Sequence, residues 1–147
     1  MKKYILDTNL YVRAFRNAAD AVDLETFYRS FAPAVYLSSI VLHEVLVGAK
    51  TDTKRAEVED AIARPLRRTN RIVTPSHAAW ERGGRALAQL AVRERLDLRR
   101  TPKSFVHDVL LAESCREAGV ILLTDNAADF SRIRRVVRFE FRKPWPK

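Results

Sequence analysis

The chain has 147 residues, of which 47% are hydrophobic and 31% charged, a composition that excludes a disordered or fibrous chain and fits one globular domain. No apolar run approaches the about 18 residues that cross a bilayer, and MKKYILDTNL reaches an acid and an amide before any signal-peptide core develops, so the expected location is cytoplasmic. Lys and Arg number 27 against 18 Asp and Glu, a net +9 that favours a polyanionic partner, nucleic acid or an acidic protein.

Tyr4 to Leu6 reads as a first buried strand, and it ends on Asp7. Helical patterns over Leu10 to Arg16 and Asp23 to Phe31 lead to a second strand, Val35 to Leu37. Ser38 and Ser39 read as caps for a helix over Ile40 to Ala49, with another over Lys54 to Arg64 and a third strand at Arg71 to Val73. Ser76 caps a long helix reaching about Leu98, whose stripe of Trp80, Gly84, Leu87 and Ala91 assigns Trp80 to the core. Arg95 to Lys103 is the most loop-like polar stretch. Thr101-Pro102 or Ser104 starts the next helix, and Gly119 stops it. Val120 to Leu123 and Val136 to Phe139 are the last strand candidates, and Trp145 is expected to pin the tail. Strands alternating with helices predict an α/β domain over residues 1–147, with a parallel sheet flanked by helices and ligand sites at the carboxyl ends of the strands.

Acids fall where a core should be. Asp7 closes a buried strand, and Glu44 sits in SSIVLHEVLVGA, apolar on almost every side. Asp108 occupies the first two turns of the apolar helix SFVHDVLLAES, and Asp125 follows the strand VILLT, with Asp129 one helical turn later. Capping, or pairing with one of the many arginines, would account for any single acid. Together, like charges about 4 Å apart repel by roughly 4 kcal/mol at an effective dielectric of 20, so a converging set needs a cation. Oxygen ligands select Mg²⁺ or Mn²⁺, and such an ion beside a phosphodiester, with arginines on the backbone, describes a nuclease.

Other residues carry less. Cys115 is the sole cysteine and reads as a small buried apolar residue. His43, His77 and His107 lack metal-ligand spacing, and the 4 glycines form no phosphate-binding loop. A response-regulator receiver needs an aspartate after the third strand, where this chain has TPS; a phosphoaspartate hydrolase needs an acid at position 9, which is Asn.

LDTN at Leu6 to Asn9, HEVLVGA at His43 to Ala49, HDVLLA at His107 to Ala112, LLTDNAADF at Leu122 to Phe130 and KPW at Lys143 to Trp145 resemble, in order, the landmarks of the PIN-domain ribonucleases, and among them the VapC toxins of toxin-antitoxin pairs. The resemblance implies a five-stranded parallel sheet and a Mg²⁺- or Mn²⁺-dependent endoribonuclease leaving a 5′-phosphate and a 3′-hydroxyl. It also implies an acidic quartet of Asp7, Glu44, Asp108 and Asp125, with Asp7, Asp108 and Asp125 on the metal. Asp125 and Asp129 compete for the fourth place; Asn9 and Thr124 match supporting positions, and His107 stands where relatives often carry asparagine. A homodimer or a hetero-oligomer with a small antitoxin is implied as well. The alternatives are a housekeeping RNA-processing nuclease or an RNA-binding scaffold whose acids are structural.

Overall fold

A computed structural model describes residues 1–146. Its centre is a five-stranded sheet in the order β3-β2-β1-β4-β5, every neighbouring pair parallel. The strands are β1 (Tyr4–Leu6), β2 (Val35–Ser38), β3 (Ile72–Val73), β4 (Ile121–Leu123) and β5 (Glu140–Arg142). The interior pair shows why the order holds: all three residues of β1 and all three of β4 are buried, paired Tyr4 to Ile121 through Leu6 to Leu123. A parallel strand covered by helices on both faces has no solvent side on which to place a polar residue.

The helices are α1 (Thr8–Arg16), α2 (Ala18–Phe31), α3 (Ser39–Gly48), α4 (Asp52–Val58), α5 (Arg64–Arg68), α6 (His77–Glu94), α7 (Lys103–Ala118) and α8 (Ala127–Ile133). Their starts follow local chemistry. Asn17 caps α2 from Oδ1, accepting Ala19 N at 2.8 Å; Ser38 caps α3 and Ser76 caps α6. Gly119 closes α7 at φ +66°, a left-handed turn open to glycine.

Four expectations shift. The helix predicted over Lys54 to Arg64 is α4 and α5 joined by a π turn, Glu59–Ala63, whose Arg64 N–H reaches Glu59 O; Pro65 has no N–H to continue the ordinary ladder. The long helix stops at Glu94 rather than Leu98, where Arg95 turns left-handed at φ +53° and donates its N–H to Ala91 O. The last strand is Glu140–Arg142, not Val136 to Phe139: Val136 and Val137 fold back onto Ile133 O at 3.0 and 2.9 Å and close α8. Trp80 is 61% exposed, because α6 buries the neighbouring row Ala79, Gly83, Ala86 and Leu90 instead.

Trp145 does pin the tail, its ring 5.1 Å from that of Phe27. Cys115 is buried as expected, and burial pushes its thiol up, away from reactivity.

Candidate active site

β1 and β4 end side by side, and each passes directly into the chain that carries an acid. Asp7 N donates to Leu123 O at 2.9 Å, locking the two strand ends together. The Asp7 carboxylate then has two partners: Oδ1 accepts Thr8 N at 2.8 Å and caps α1, while Oδ2 accepts Thr124 Oγ1 at 2.7 Å. The capping role and the site role therefore coexist. Burial still dominates and pushes the Asp7 carboxyl above its ordinary range, with Glu44 and Asp125 adding repulsion, although both hydrogen bonds oppose the rise.

Glu44 comes from α3, where it is half-buried while Ile40, Val41 and Val45 face the core. Its Oε1 accepts Thr8 Oγ1 at 2.7 Å, and its Oε2 lies 3.6 Å from His107 Nδ1. Thr8 thus links the Asp7 turn to Glu44 through backbone and side chain. Val47 and Gly48, within the same apolar segment as Glu44, are exposed.

Asp108 lies in the second turn of α7, 8% exposed, and accepts no hydrogen bond from the described residues. Burial, then the charges of Asp7, Glu44 and Asp129, raise its carboxyl to about 8. A carboxyl so placed is neutral near neutral pH unless a cation joins it. Asp7 follows the end of β1, and Glu44, Asp108 and Asp129 come from α3, α7 and α8, so the topology gathers them from across the chain.

The two late acids part company. Asp125 is half-exposed and forms an ion pair with Arg13 of α1. Asp129 is held by Asn126 Nδ2 at 3.1 Å and by Arg132 Nη1 at 3.4 Å, and it acts on Asp108. Asn9 is exposed and bonds none of these acids among the described residues.

Sequence spacing missed two features. Thr8 stands inside LDTN but shows its role only when α3 packs beside α1. His43 and His107, far apart in sequence, bring their rings to 6.0 Å beside Glu44. Their residue type was a signal; their spacing was not.

Among the described residues no three acid, histidine or cysteine side chains stand close enough to enclose an ion alone. The donor set nevertheless fits a hard divalent cation, since Mg²⁺ keeps several waters and takes only one or two carboxylates. Asp108, unpaired and repelled by three other acids, is the group whose charge such an ion would restore.

Fold and site define a parallel α/β domain with an acidic centre at the carboxyl edge of its sheet, where such sheets bind ligands. The chain belongs to the PIN domain family, whose profile matches residues 4–136. It is similar to a chain in the crystal structure of DNA-bound VapBC from Salmonella typhimurium, at 26% identity and a TM-score of 0.72, over 96% of this chain and 98% of that one. VapBC2 from Rickettsia felis bound to a promoter fragment is similar at 20% identity and TM-score 0.65, over 97% and 98%. FitAcB from Neisseria gonorrhoeae is similar at 18% and 0.67, over 98% and 99%. No curated protein sequence matches.

Proposed function

We propose that this domain is an endoribonuclease that hydrolyses phosphodiester bonds with a Mg²⁺ or Mn²⁺ ion, and that it is the toxin of a toxin-antitoxin pair. The observation that carries the catalytic part is Asp108: a carboxyl raised to about 8 by burial first and by three other acids second, and left without a protein donor among the described residues. Structural acids would be paired, as Glu113 is with Arg82 at 2.9 Å.

Asp7, Asp108 and a late acid would hold the ion, and the chemistry it supplies when bound is activation of water and neutralisation of charge developing on the departing oxygen. The chain's own residues fix the geometry. Thr124 and the Thr8 N–H orient both oxygens of Asp7, and Thr8 Oγ1 aims Glu44. His107 stands where it can take a hydrogen-bonding role toward Glu44. The fourth place is flanked from two sides, by Asp129 toward Asp108 and by Asp125 toward Asp7. Arg13 neutralises Asp125, so we assign the larger share to Asp129.

The toxin part rests on likeness: VapBC from Salmonella typhimurium is a bound pair, and this chain matches one of its members over nearly the whole length. A small antitoxin partner follows from that reading, as does a cytoplasmic site of action; no described helix is long and apolar enough to cross a membrane.

The test incubates purified protein with RNA plus Mg²⁺, with EDTA, and as the Asp7→Asn and Asp108→Asn variants. Cleavage by the native chain with Mg²⁺ alone is the expected result. Equal cleavage in all four arms overturns the mechanism, and cleavage in none moves the domain to an RNA-binding scaffold. Co-purification with a small neighbouring gene product tests the toxin assignment separately.

A further inference from the structure

Beside Asp129 the surface opens into a cavity of about 360 Å³, lined among others by Arg95, Asp97, Arg100, Ser104 and Arg132. That volume lies within the about 300–1,000 Å³ typical of ligand pockets. Ser104 is one helical turn before Asp108 on α7, so the same face of the helix runs from the cavity to the acidic centre.

The wall is the loop between α6 and α7. From Arg95 to Pro102 it carries Arg95, Arg99 and Arg100, with Lys103 opening α7 beyond it, against the single acid Asp97. These cations are held loosely. Arg99 and Arg100 approach Asp97 only to 3.8 and 3.6 Å, beyond hydrogen-bond reach, and their side chains are 95% and 90% exposed. Arg132, on the opposite wall, is engaged: Glu94 accepts from it at 2.8 and 3.0 Å, and its guanidinium lies 4.7 Å over the Phe105 ring. Arg99 and Lys103 do not line the cavity, so its free positive charge comes from Arg95 and Arg100 of the loop.

Charge of this kind selects phosphate. An arginine without a close carboxylate presents its planar fork to two phosphate oxygens, and Ser104 adds a hydroxyl group at the same wall, where Thr101 Oγ1 already donates to Asp97 O at 2.9 Å. Base stacking has no platform here, because Phe105 is buried and covered by Arg132. Contacts to the backbone position a strand without reading its sequence.

We infer that the Arg95–Pro102 loop is a phosphate clamp for single-stranded RNA, gripping the backbone next to the bond presented at the acidic centre. RNA as the occupant rests on the nuclease reading; the clamp itself rests on the cavity and its loose arginines.

Binding of a labelled single-stranded oligoribonucleotide to the full chain tests it, with Asp108→Asn as background so that the strand stays intact. Arg95→Gln combined with Arg100→Gln is expected to weaken the affinity about tenfold. It should also reduce the slope of log affinity against log salt by about 1.4, at roughly 0.7 per phosphate contact for single strands. The melting temperature should not move. Unchanged affinity and slope overturn the clamp, and so does an equal loss in the control pair Arg68→Gln with Arg116→Gln, which lie outside the cavity. A native chain that cuts no RNA while the clamp effect persists removes the nuclease reading and leaves the clamp standing.

Discussion

Thr124 Oγ1 donates a 2.7 Å hydrogen bond to Asp7 Oδ2, joining the ends of β4 and β1 across 117 positions of sequence. Both residues are buried, so little solvent reaches the carboxylate oxygen to replace that donor. Thr124→Val keeps the shape and deletes the donor, leaving a buried acceptor unpaired at a cost of about 1–3 kcal/mol. It also removes the Asn126 N–H's acceptor, 2.9 Å away. The variant should melt lower and cleave RNA more slowly, whereas Thr124→Ser should preserve both. Denaturant titration of the two variants beside the native chain decides; a valine variant of native stability would show that Asp7 does not depend on this bond.

Asp125 and Asp129 separate by their partners. Arg13 already balances Asp125, while Asp129 contributes to the repulsion at Asp108. Asp129→Asn is therefore expected to weaken Mn²⁺ affinity and RNA cleavage by about 10–100-fold, the range for groups that tune a metal site. Asp125→Asn should cost less, and Arg13→Ala should enlarge the role of Asp125 by freeing its charge. Isothermal titration with Mn²⁺ measures all three. A larger loss from Asp125→Asn would exchange the two assignments.

What the sequence discloses follows from the range of the interactions involved. Strands β1 and β4 are legible because buried parallel strands read as unbroken apolar runs, and α3, α6 and α7 because their start or stop signals lie within one turn of the helix end. β5 is not, since an edge strand reading Glu-Phe-Arg keeps its aromatic alternation, Phe139 and Phe141 against Phe130, partly outside the strand itself. The acids of the site are recognisable individually as charges in apolar surroundings. Their partners are not: the links from Thr8 to Glu44 and from His107 to Glu44 exist only after α1, α3 and α7 pack together.

Packing corrects the reading of Trp80 and gives a further check. A residue 61% exposed contributes little to the core, so Trp80→Ala should change stability by no more than about 0.5 kcal/mol. Leu111, fully buried in α7, should cost about 2–5 kcal/mol on Leu111→Ala, because the cavity left behind collapses only in part. Urea titration of both variants compares them directly; a Trp80→Ala loss matching that of Leu111→Ala would place the indole in a contact the fold does not contain.

Asp108 also ties stability to pH and to cations. The folded protein holds its proton up to about pH 8, while the unfolded chain releases it near 3.8, so between those values the folded state binds more protons. The stability contributed by the neutral carboxyl is complete below the unfolded value and is lost as pH rises through about 8. Asp7, raised in the same direction, adds to the slope. In EDTA the melting temperature should therefore fall between about pH 5 and 8, measured against a general baseline from the Asp108→Asn variant, whose fall should be shallower. Saturating Mn²⁺ should reverse the loss most strongly at the alkaline end, where the ion no longer displaces a proton, by about 2.7 kcal/mol at 100 times its Kd. Calorimetry over that pH series, with and without Mn²⁺, measures both trends. A native chain whose stability follows pH with the same slope as that of Asp108→Asn, and which Mn²⁺ leaves unmoved, would mean that Asp108 is already charged and matched, and that the acidic centre needs no cation.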